Sequence, residues 1–287
     1  MSSKVEEWTV LSMLEWATDF FKEKSIPDPR HSIEWLLAET LKIKRLDLYL
    51  KYDRPLSKKE LDMLRPMVKR RANHEPLQYI IGFDDFMNAR ISVNEHVLIP
   101  RIETEQLVEI ILDEHSTDTD KSVLDLGTGS GCIPIALKME RPNWQVSGID
   151  ISREALTVAR ENAMQNEVEV SFSEGDILSP ETIPFDQPLD VIVSNPPYVK
   201  PDEKALLESQ VKEYEPHQAL FCDDLDEMYR NIITIAQQHL SDTGMLYLEI
   251  HEKYANEIMG IFDQNQWKAA LRKDYDKKPR FIVAQRK

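Results

Sequence analysis

The sequence predicts a two-domain α/β protein, in which a small helical bundle and a linking β-hairpin precede a seven-stranded Rossmann-like domain. Three observations support this prediction. The chain has 287 residues, more than a typical single domain. Its first 76 residues repeat apolar side chains at helical intervals of three or four. Beyond Lys121, short β-branched runs alternate with helical segments, as in a parallel sheet.

Composition favours a well-filled core and disfavours broad capture of nucleic acid. Hydrophobic residues make up 41% of the chain, and 35 basic against 51 acidic residues give a net charge of −16. Proteins that bind nucleic acid broadly usually carry a basic surface patch, whereas this chain is acidic overall. A local basic cluster is the exception, and either a solvated helix face or an acidic partner would explain it. Its members are Lys58, Lys59, Arg65, Lys69, Arg70 and Arg71.

Other absences in the sequence narrow the class of protein. Only Cys132 and Cys222 are cysteines, and His and Cys show no metal-ligand spacing, so we expect neither a disulfide framework nor a bound metal. We find neither a signal peptide nor a run of 18 apolar residues, and we therefore expect a soluble, cytoplasmic protein without membrane partners.

The N-terminal part divides into a bundle at 1–76 and a hairpin at 77–101, followed by the larger domain at 102–287. Ser57 opens a capping box before one helix, and Pro66 is expected to kink or divide that helix. The hairpin strands are predicted at Tyr79–Phe83 and Ile91–Val93. The bundle carries no acid–base pair, and its role is either packing or partner recognition.

The larger domain is predicted from alternating strands and helices. Its strands are Val123–Leu126, Val146–Asp150, Val168–Phe172, Val191–Ser194, Met245–Ile250, Trp267–Arg272 and Phe281–Ala284. Its helices are Cys132–Glu140, Arg153–Gln165, about Asp226 to Leu240, and Lys253–Phe262. The long acidic stretch Val199–Asp224 is expected to cover the site as a partly helical lid.

A glycine-rich turn follows the first strand of this domain. Three of only eight glycines lie within five positions, in Gly127-Thr128-Gly129-Ser130-Gly131. Cys132 occupies the place where the dinucleotide fingerprint G-x-G-x-x-G has its third glycine, which disfavours NAD. Asp150 ends the next strand about 20 residues on, where such folds bind ribose hydroxyls. This pattern is typical of nucleoside-type methyl donors such as S-adenosylmethionine; alternatively, Asp150 is an ordinary acid capping the next helix.

A second motif, Asn195-Pro196-Pro197-Tyr198, follows the buried strand that ends at Ser194. Neither proline has an N–H and both fix φ, so the chain leaves the sheet as a stiff corner. The corner offers an amide side chain, a free carbonyl and an aromatic face, which together suit a flat group that bears nitrogen. An isolated motif of this kind would equally be a proline-rich turn.

Polar residues at several strand ends are expected to share one pocket. Gly127–Gly131, Asp150, Asp176 and Asn195 all follow predicted parallel strands, and open sheets bind ligands outside the carboxyl ends of their strands. Asp176 is accordingly predicted near the adenine, although a purely structural role is open.

In these motifs the sequence resembles the PrmC/HemK family of protein-(glutamine-N5) methyltransferases, which act on peptide chain release factors. The resemblance runs from about Glu75 to the C-terminus. It is carried by Glu75-Pro76-Leu77-Gln78-Tyr79-Ile80, Val97-Leu98-Ile99-Pro100-Arg101, Glu103-Thr104-Glu105, Asp125–Gly131, Val193–Tyr198 and Tyr214-Glu215-Pro216.

The resemblance implies a class I methyltransferase domain with S-adenosyl-L-methionine as cofactor and the glutamine of the release factor's Gly-Gly-Gln loop as substrate. It also implies that the bundle and hairpin help to engage that factor. By the same resemblance, Ile177 is expected to flank the adenine, although a role in the hydrophobic core would explain this residue equally well. Phe86 and Arg101 are weaker candidates near the cofactor or peptide. The sequence departs from the family pattern at Ile102, Asn88, His251 and Cys222–Asp226; Asn at 88 would still tolerate a left-handed turn.

The corner suggests a mechanism in which positioning dominates. The Asn195 side-chain oxygen and the Pro196 carbonyl would each accept an N–H of the glutamine amide, and Tyr198 would stack on the amide plane. Three rivals remain: methylation of a base amine in nucleic acid, glutamine methylation of a ribosomal protein, and an inactive subunit that only binds cofactor. Acidic charge disfavours the first rival, and the intact Asn-Pro-Pro-Tyr corner disfavours the third.

Overall fold

The computed structural model describes residues 8–115, 119–183, 187–263 and 266–287. Over these residues the chain forms two compact units. The N-terminal unit comprises the residues up to Gly82 together with Glu208–Tyr214, and the sheet unit comprises Phe83–Leu207 and Glu215–Lys287. Each described helix is too short or too polar to cross a membrane.

The N-terminal unit is a helical bundle, as the apolar spacing predicts. Its helices are α1 (Val10–Glu23), α2 (Pro29–Leu41), α3 (Lys58–Ala72), α4 (Leu77–Ile81) and α8 (Ser209–Tyr214), with a 3-10 turn at Arg45–Leu50. Leu14, Phe21, Leu36 and Leu37 are fully buried between the helices. The Ser57 hydroxyl caps α3 by accepting from the Glu60 N–H, as predicted.

The structure of α3 excludes one of the two predicted effects of Pro66 and removes one residue from the predicted basic cluster. Pro66 does not divide the helix, which is continuous from Lys58 to Ala72. Leu64 and Val68 lie on either side of the proline and are both buried, so packing holds the two halves together despite the missing N–H. Arg71 is only 3% exposed, and so is not part of a solvated basic face.

The hairpin begins later than predicted. Of the predicted strand Tyr79–Phe83, only Phe83 is in a strand, because Leu77–Ile81 forms α4 with its buried side chains in the core of the bundle. Gly82 ends this helix at φ 89°, the left-handed conformation that glycine adopts easily. The hairpin strands are β1 (Phe83–Phe86) and β2 (Ala89–Ser92). The positive φ in their turn belongs to Met87 rather than to Asn88.

The sheet unit alternates strands and helices, as predicted. Its strands are β3 (Ser122–Leu126), β4 (Gln145–Asp150), β5 (Ser171–Glu174), β6 (Leu189–Ser194), β7 (Leu240–Glu249), β8 (Trp267–Lys273) and β9 (Pro279–Arg286). Its helices are α5 (Ile102–Glu114), α6 (Cys132–Glu140), α7 (Arg153–Gln165), α9 (His217–Leu220), α10 (Leu225–His239) and α11 (Ala255–Met259). Lys253–Phe262 is thus helical only in part, with a 3-10 turn at Glu252–Tyr254 before α11. The expected lid, Val199–Asp224, contains a 3-10 turn at Pro201–Leu206 before α8 and α9.

The seven strands form one sheet in the order β5-β4-β3-β6-β7-β9-β8. The pairs from β5 to β7 are parallel, whereas β9 runs antiparallel to both of its neighbours. Leu126 is in register with Ile149 on one side and with Ser194 on the other. The carboxyl ends of these strands therefore lie at one edge, and the loops that follow them open together.

Strand β5 begins three residues later than predicted, at Ser171 instead of Val168, because α7 ends in a Schellman motif. The Glu167 N–H donates to the Met164 carbonyl and the Val168 N–H to the Ala163 carbonyl, with Glu167 at φ 57°. Val168 is the hydrophobic residue that accompanies such a cap. Its β-branched side chain imitates a strand start in the sequence.

We predict that Gly148→Ala destabilises the sheet unit. A Cβ at Gly148 would lie 2.6 Å from Thr128 Oγ1 and 3.1 Å from Phe172 Cδ1, so the substitution overpacks the glycine turn and should cost about 1–3 kcal/mol. Thermal unfolding measures this effect. Ser147→Ala, on the same strand, should stay within about 0.5 kcal/mol of the unsubstituted chain. An unchanged melting temperature for Gly148→Ala would show that Thr128 can move away.

Candidate active site

The loops after β3, β4, β5 and β6 line a cavity of about 630 Å³. Predicted site residues in its wall are Gly127, Gly129, Asp150, Asp176, Ile177, Asn195 and Pro197. Other predicted residues lie in the same loops but outside the described wall, namely Thr128, Ser130, Gly131, Pro196 and Tyr198. The rest of the wall comes from residues 95–98, from the segment around Ile151–Ala155, from Gly175 and Leu178, and from the segment around Pro216–Met228. Of these, the part from Pro216 to Asp224 belongs to the lid predicted at Val199–Asp224, and the other segments were not predicted.

The glycines of the turn serve two different purposes. All three have positive φ, at 73° for Gly127, 54° for Gly129 and 79° for Gly131. A Cβ at Gly129 would meet no atom within 4 Å, so this glycine leaves open space beside the cavity. A Cβ at Gly131 would lie 3.1 Å from Ala159 Cβ. Gly131 therefore permits the close approach of α7 to the start of α6.

The side chains between these glycines are buried. Thr128 is 5% exposed and Ser130 is 2% exposed. The Ser130 carbonyl accepts a hydrogen bond of 2.9 Å from the Asn162 side-chain amide, and the Thr128 N–H donates to the Ile149 carbonyl at 2.8 Å. These hydrogen bonds stabilise the conformation of the turn, and the two residues are not part of the cavity wall.

Asp150 fixes the turn and also lines the cavity. Its Oδ2 accepts from the Gly129 N–H at 2.8 Å, and its Oδ1 accepts from the Ser152 N–H at 2.9 Å. Burial raises the pKa of the carboxyl, and these N–H donors oppose the rise. Each carboxylate oxygen keeps a further lone pair, so the ribose-binding and the capping interpretations are both compatible with these contacts.

Asp176 and Ile177 likewise combine structural contacts with a place in the wall. The Leu178 N–H donates to Asp176 Oδ1 at 2.8 Å, which closes a short turn after β5. Ile177 is 9% exposed and belongs to the hydrophobic core of the sheet unit. Its Cδ1 lies 3.7 Å from the position of a Cβ on Gly127, so it packs directly beneath the glycine turn.

The proline corner is anchored to the centre of the sheet. The Ser194 hydroxyl, fully buried, donates to the Leu126 carbonyl at 2.8 Å and so ties the end of β6 to the end of β3. Asn195 and Pro197 then face the cavity, while Pro196 is buried. The side chain of Asn195 is therefore presented from a fixed point beside the glycine turn.

Tyr198 is half-buried behind the corner. Its hydroxyl donates to Glu249 Oε1 at 3.4 Å, and its ring meets His251 edge-on at 5.8 Å between centroids. Burial, together with the nearby charge of Glu249, raises the pKa of Tyr198, so its hydroxyl stays protonated and acts as a donor. His251 thus packs against an aromatic residue of the corner. The two weaker candidates have structural contacts. Phe86 is buried in the hairpin. Arg101 forms an ion pair with Glu215.

Sequence reasoning missed two polar residues beside Asn195. The Asn195 Nδ2 lies 3.0 Å from Thr104 Oγ1, and the Thr104 hydroxyl lies 2.7 Å from Glu249 Oε2. Glu249 is 1% exposed, and burial raises the pKa of its carboxyl to about 7. An acid at the carboxyl end of a predicted strand was the available signal, since Asp150 was found in that way.

The cavity wall is strongly acidic. None of the described residues that line it is Lys or Arg. Its carboxylates are Glu95, Asp150, Glu154, Asp176, Asp223, Asp224 and Glu227. Such a wall favours a ligand that carries positive charge.

A further carboxyl, Asp125, is buried at the end of β3 immediately before the turn. Asp125 is 1% exposed, and burial raises its pKa to about 7. Asp150 adds to this rise, whereas the Thr128 hydroxyl opposes it. Asp125 is thus an internal acid of the sheet unit.

Comparison with known proteins agrees with this geometry. Residues 12–82 match the PrmC N-terminal domain, and residues 102–213 match the methyltransferase small domain. A release factor glutamine methyltransferase from Leptospira interrogans is 37% identical over 97% of this chain and 98% of its own length. One from Geobacter sulfurreducens is 39% identical over 92% of each chain.

The chain belongs to the release factor glutamine methyltransferase family. Another member, from Lactococcus lactis, is 44% identical over 73% of this chain and 76% of its own. The fold is shared more widely. The hMettl16 catalytic domain superposes with a TM-score of 0.53 at 17% identity, covering 76% of this chain and 81% of its own, and a methyltransferase from Pyrococcus furiosus with a TM-score of 0.50 at 18% identity, covering 70% and 89%.

Family and fold imply a methyl donor of the S-adenosylmethionine type, and the cavity fits such a group. Its volume is in the range of small-molecule sites. The open space at Gly129 admits a ligand against the backbone, and the acidic wall suits a sulfonium cation. The predicted α/β methyltransferase fold is thus confirmed for this member of the family.

We predict that Asp125→Asn stabilises the protein increasingly as pH rises. A folded-state pKa near 7, above the ordinary value of 3.8, means that stability is lost as pH rises between these values. The neutral amide avoids this loss, so the variant's advantage should grow by about 2 kcal/mol between pH 5.5 and pH 8.

Denaturant unfolding of both proteins at the two pH values measures this difference. Glu249 and every other titrating group are common to the two proteins, so the comparison isolates Asp125. A variant destabilised equally at both pH values would show that the carboxylate is held by favourable contacts instead.

Proposed function

We propose that this protein transfers a methyl group from S-adenosyl-L-methionine to the side-chain amide nitrogen, N5, of the glutamine in the Gly-Gly-Gln motif of peptide chain release factors. The observation that carries the proposal is the orientation of Asn195. Its NH2 group is engaged by Thr104, which leaves its carbonyl oxygen as the group available on the cavity side. A carbonyl oxygen is the correct partner for a carboxamide NH2.

The residues that would hold the donor are those in the cavity wall. Asp150 would accept from the ribose hydroxyls, Gly127 and Gly129 would allow close approach of the backbone, and Asp176 and Ile177 would flank the adenine. When bound, the donor supplies a methyl group activated by a sulfonium, whose transfer forms the nitrogen–carbon bond and breaks the sulfur–carbon bond. The acidic wall complements this cationic group.

The corner would hold the acceptor. An amide nitrogen is a poor nucleophile because its lone pair is delocalised into the carbonyl. Asn195 Oδ1 and the Pro196 carbonyl would each accept one N–H, which aims the nitrogen and localises its lone pair. Positioning of this kind can lower a barrier by up to roughly 7–11 kcal/mol. The amide proton becomes acidic once the nitrogen carries the methyl group and passes to solvent, so no strong base is needed.

Tyr198 would form the side of the acceptor pocket. Its hydroxyl is directed at Glu249 and its edge contacts His251, which restrains the plane of the ring. A restrained ring beside the two carbonyl oxygens suits a flat carboxamide. Stacking of Tyr198 on the substrate amide stays part of the proposal.

The helical bundle at 1–76 and the segment at 77–101 are proposed to engage the release factor. The N-terminal unit exposes several large apolar side chains, which a protein partner could bury. They are Trp16, Leu46, Tyr49, Leu50 and Met63.

The test is methylation of defined acceptors with isotopically labelled S-adenosylmethionine. Purified release factor, the same factor with glutamate in place of the motif glutamine, a ribosomal protein and nucleic acid are incubated separately, and mass spectrometry locates the label. We expect one methyl group on the motif glutamine. Asn195→Ala should lower turnover at least about 100-fold, whereas Asn143→Ala, at an exposed loop position, should not. Label on any of the other acceptors alone would refute the proposal.

Asp150→Ala should weaken binding of S-adenosylmethionine by at least about tenfold, the loss expected for a hydrogen bond to a charged group. Calorimetric titration should also show that an analogue lacking both ribose hydroxyls loses less affinity on this substitution than S-adenosylmethionine does, because only the contribution of Asp150 to the shape of the turn is then lost. Ser57→Ala removes a cap from the N-terminal unit and is the control for lost stability alone. If the variant binds cofactor normally, Asp150 is a capping residue.

A further inference from the structure

A chain of polar side chains runs from the cavity into the interior of the sheet unit. Asn195 Nδ2 lies 3.0 Å from Thr104 Oγ1, Thr104 Oγ1 lies 2.7 Å from Glu249 Oε2, and the Tyr198 hydroxyl lies 3.4 Å from Glu249 Oε1. Thr104 is 3% exposed and Glu249 is 1% exposed. The polar groups of these four side chains therefore form hydrogen bonds mainly with one another and little with water.

The charge of Glu249 fixes the direction of every hydrogen bond in this chain. A carboxylate only accepts, so Thr104 must donate its single hydroxyl proton to Glu249. The Thr104 oxygen then has only lone pairs left for Asn195, which must offer its NH2. The Asn195 carbonyl oxygen consequently faces away from Thr104.

We propose that Glu249 is a positioning residue which, through Thr104, holds the Asn195 amide with its oxygen toward the acceptor. The inference rests on the proposed function, because it concerns the oxygen that would receive the glutamine N–H. Glu249 reaches no cavity-lining position among the described residues. It acts only through the residues that it orients.

Protonation of Glu249 removes this constraint. A neutral carboxyl can donate to Thr104, which can then donate to the Asn195 oxygen, so the amide is free to turn its NH2 toward the cavity. Two donors, the Asn195 and the substrate NH2, would then face each other. Turnover should therefore fall as pH falls through the pKa of Glu249, which burial raises to about 7.

The charged and titratable groups around Glu249 act in opposite directions. Arg280 on β9 favours the carboxylate, and Asp274 accepts from Arg280 at 3.4 Å. Glu103 on α5 disfavours the carboxylate. The Tyr229 hydroxyl on α10 donates to the backbone carbonyl of Glu249 at 3.4 Å.

Two further groups complete this environment. Burial raises the pKa of the Cys132 thiol on α6 to about 12, with Glu249 among the contributing charges, so the thiol stays neutral. The Tyr198 hydroxyl stays protonated, as described above. Of Glu249, Cys132 and Tyr198, Glu249 is therefore the group that titrates near neutral pH. Asp125, whose pKa burial also raises to about 7, acts on the same Cys132 thiol and must be held neutral when Glu249 is tested.

The variants Thr104→Val and Thr104→Ser separate hydrogen bonding from packing. Valine keeps the shape and removes the hydroxyl, and we expect kcat to fall at least about tenfold, the effect of losing one hydrogen bond. Serine keeps the hydroxyl and should restore most of the rate. Dissociation constants for S-adenosylmethionine should stay unchanged in both. A serine variant as slow as the valine variant would assign Thr104 to packing alone.

The variant Glu249→Gln tests the pH dependence. In the Asp125→Asn background, where the other acid with a pKa near 7 is replaced by a neutral amide, the protein should lose kcat below about pH 7. With Glu249→Gln added, the glutamine cannot titrate, and kcat should stay constant from about pH 6 to pH 8. Persistence of the acid limb in Glu249→Gln would overturn the proposal.

Nuclear magnetic resonance of the Asn195 side-chain amide gives a readout that needs no methyl acceptor. Its NH2 signals, identified by their loss in Asn195→Ala, should shift between pH 6 and pH 8 in the unsubstituted protein but not in Glu249→Gln. This titration would hold even if the acceptor were not a release factor, so the two proposals fail separately. Signals that do not respond to pH in the unsubstituted protein would refute the role of Glu249.

Discussion

The hydrogen bond between Thr104 and Glu249 joins the parts of the sheet unit on which the site depends. Thr104 belongs to α5, before the first strand of the sheet, and Glu249 ends β7, 145 residues later. Asn195 reaches this pair from the end of β6. The sheet itself fixes where β6 and β7 end, through the register of Ser194 with Leu248. The register of β6 with β7 thus sets the distance between Asn195 and Glu249. The buried Glu249 carboxylate can therefore orient the Asn195 side chain on the neighbouring strand through Thr104.

The sheet unit buries two carboxyl groups, although burial of an acid costs free energy. Asp125 and Glu249 are both about 1% exposed, and burial raises the pKa of each to about 7. Hydrophobic residues in these positions would avoid the desolvation. Departures from the most stable choice are typical of functional sites. The loss is limited because Thr104 and Tyr198 donate to Glu249, so that Glu249 keeps its hydrogen bonds without contact with water.

Local patterns in the sequence predicted the elements and the cavity, but not the contacts between distant residues. The helices Cys132–Glu140 and Arg153–Gln165 have their predicted bounds, because a glycine turn and a serine cap mark their starts. Residues Tyr79–Ile81 were wrongly predicted as part of a strand, because packing in the bundle holds them in the helix Leu77–Ile81. The cavity holds Gly127, Asp150 and Asn195 as predicted neighbours, because parallel strand ends must meet. The orientation of Asn195 was beyond such reasoning, since it depends on a hydroxyl 91 residues away.

The departure of this chain at His251 illustrates how a site tolerates change behind its reactive face. Position 251 is one of the departures from the family pattern named in the sequence analysis, and His251 packs edge-on against Tyr198 and accepts from the Lys253 N–H through Nδ1. Burial lowers the pKa of His251, so the imidazole is neutral at pH 7 and adds no charge beside Glu249. A neutral ring packed against Tyr198 adds no hydrogen bond to the Asn195 side-chain oxygen or the Pro196 carbonyl, the two oxygens proposed to accept from the substrate amide. The substitution therefore changes the packing around the corner without changing the hydrogen-bonding groups that the corner presents.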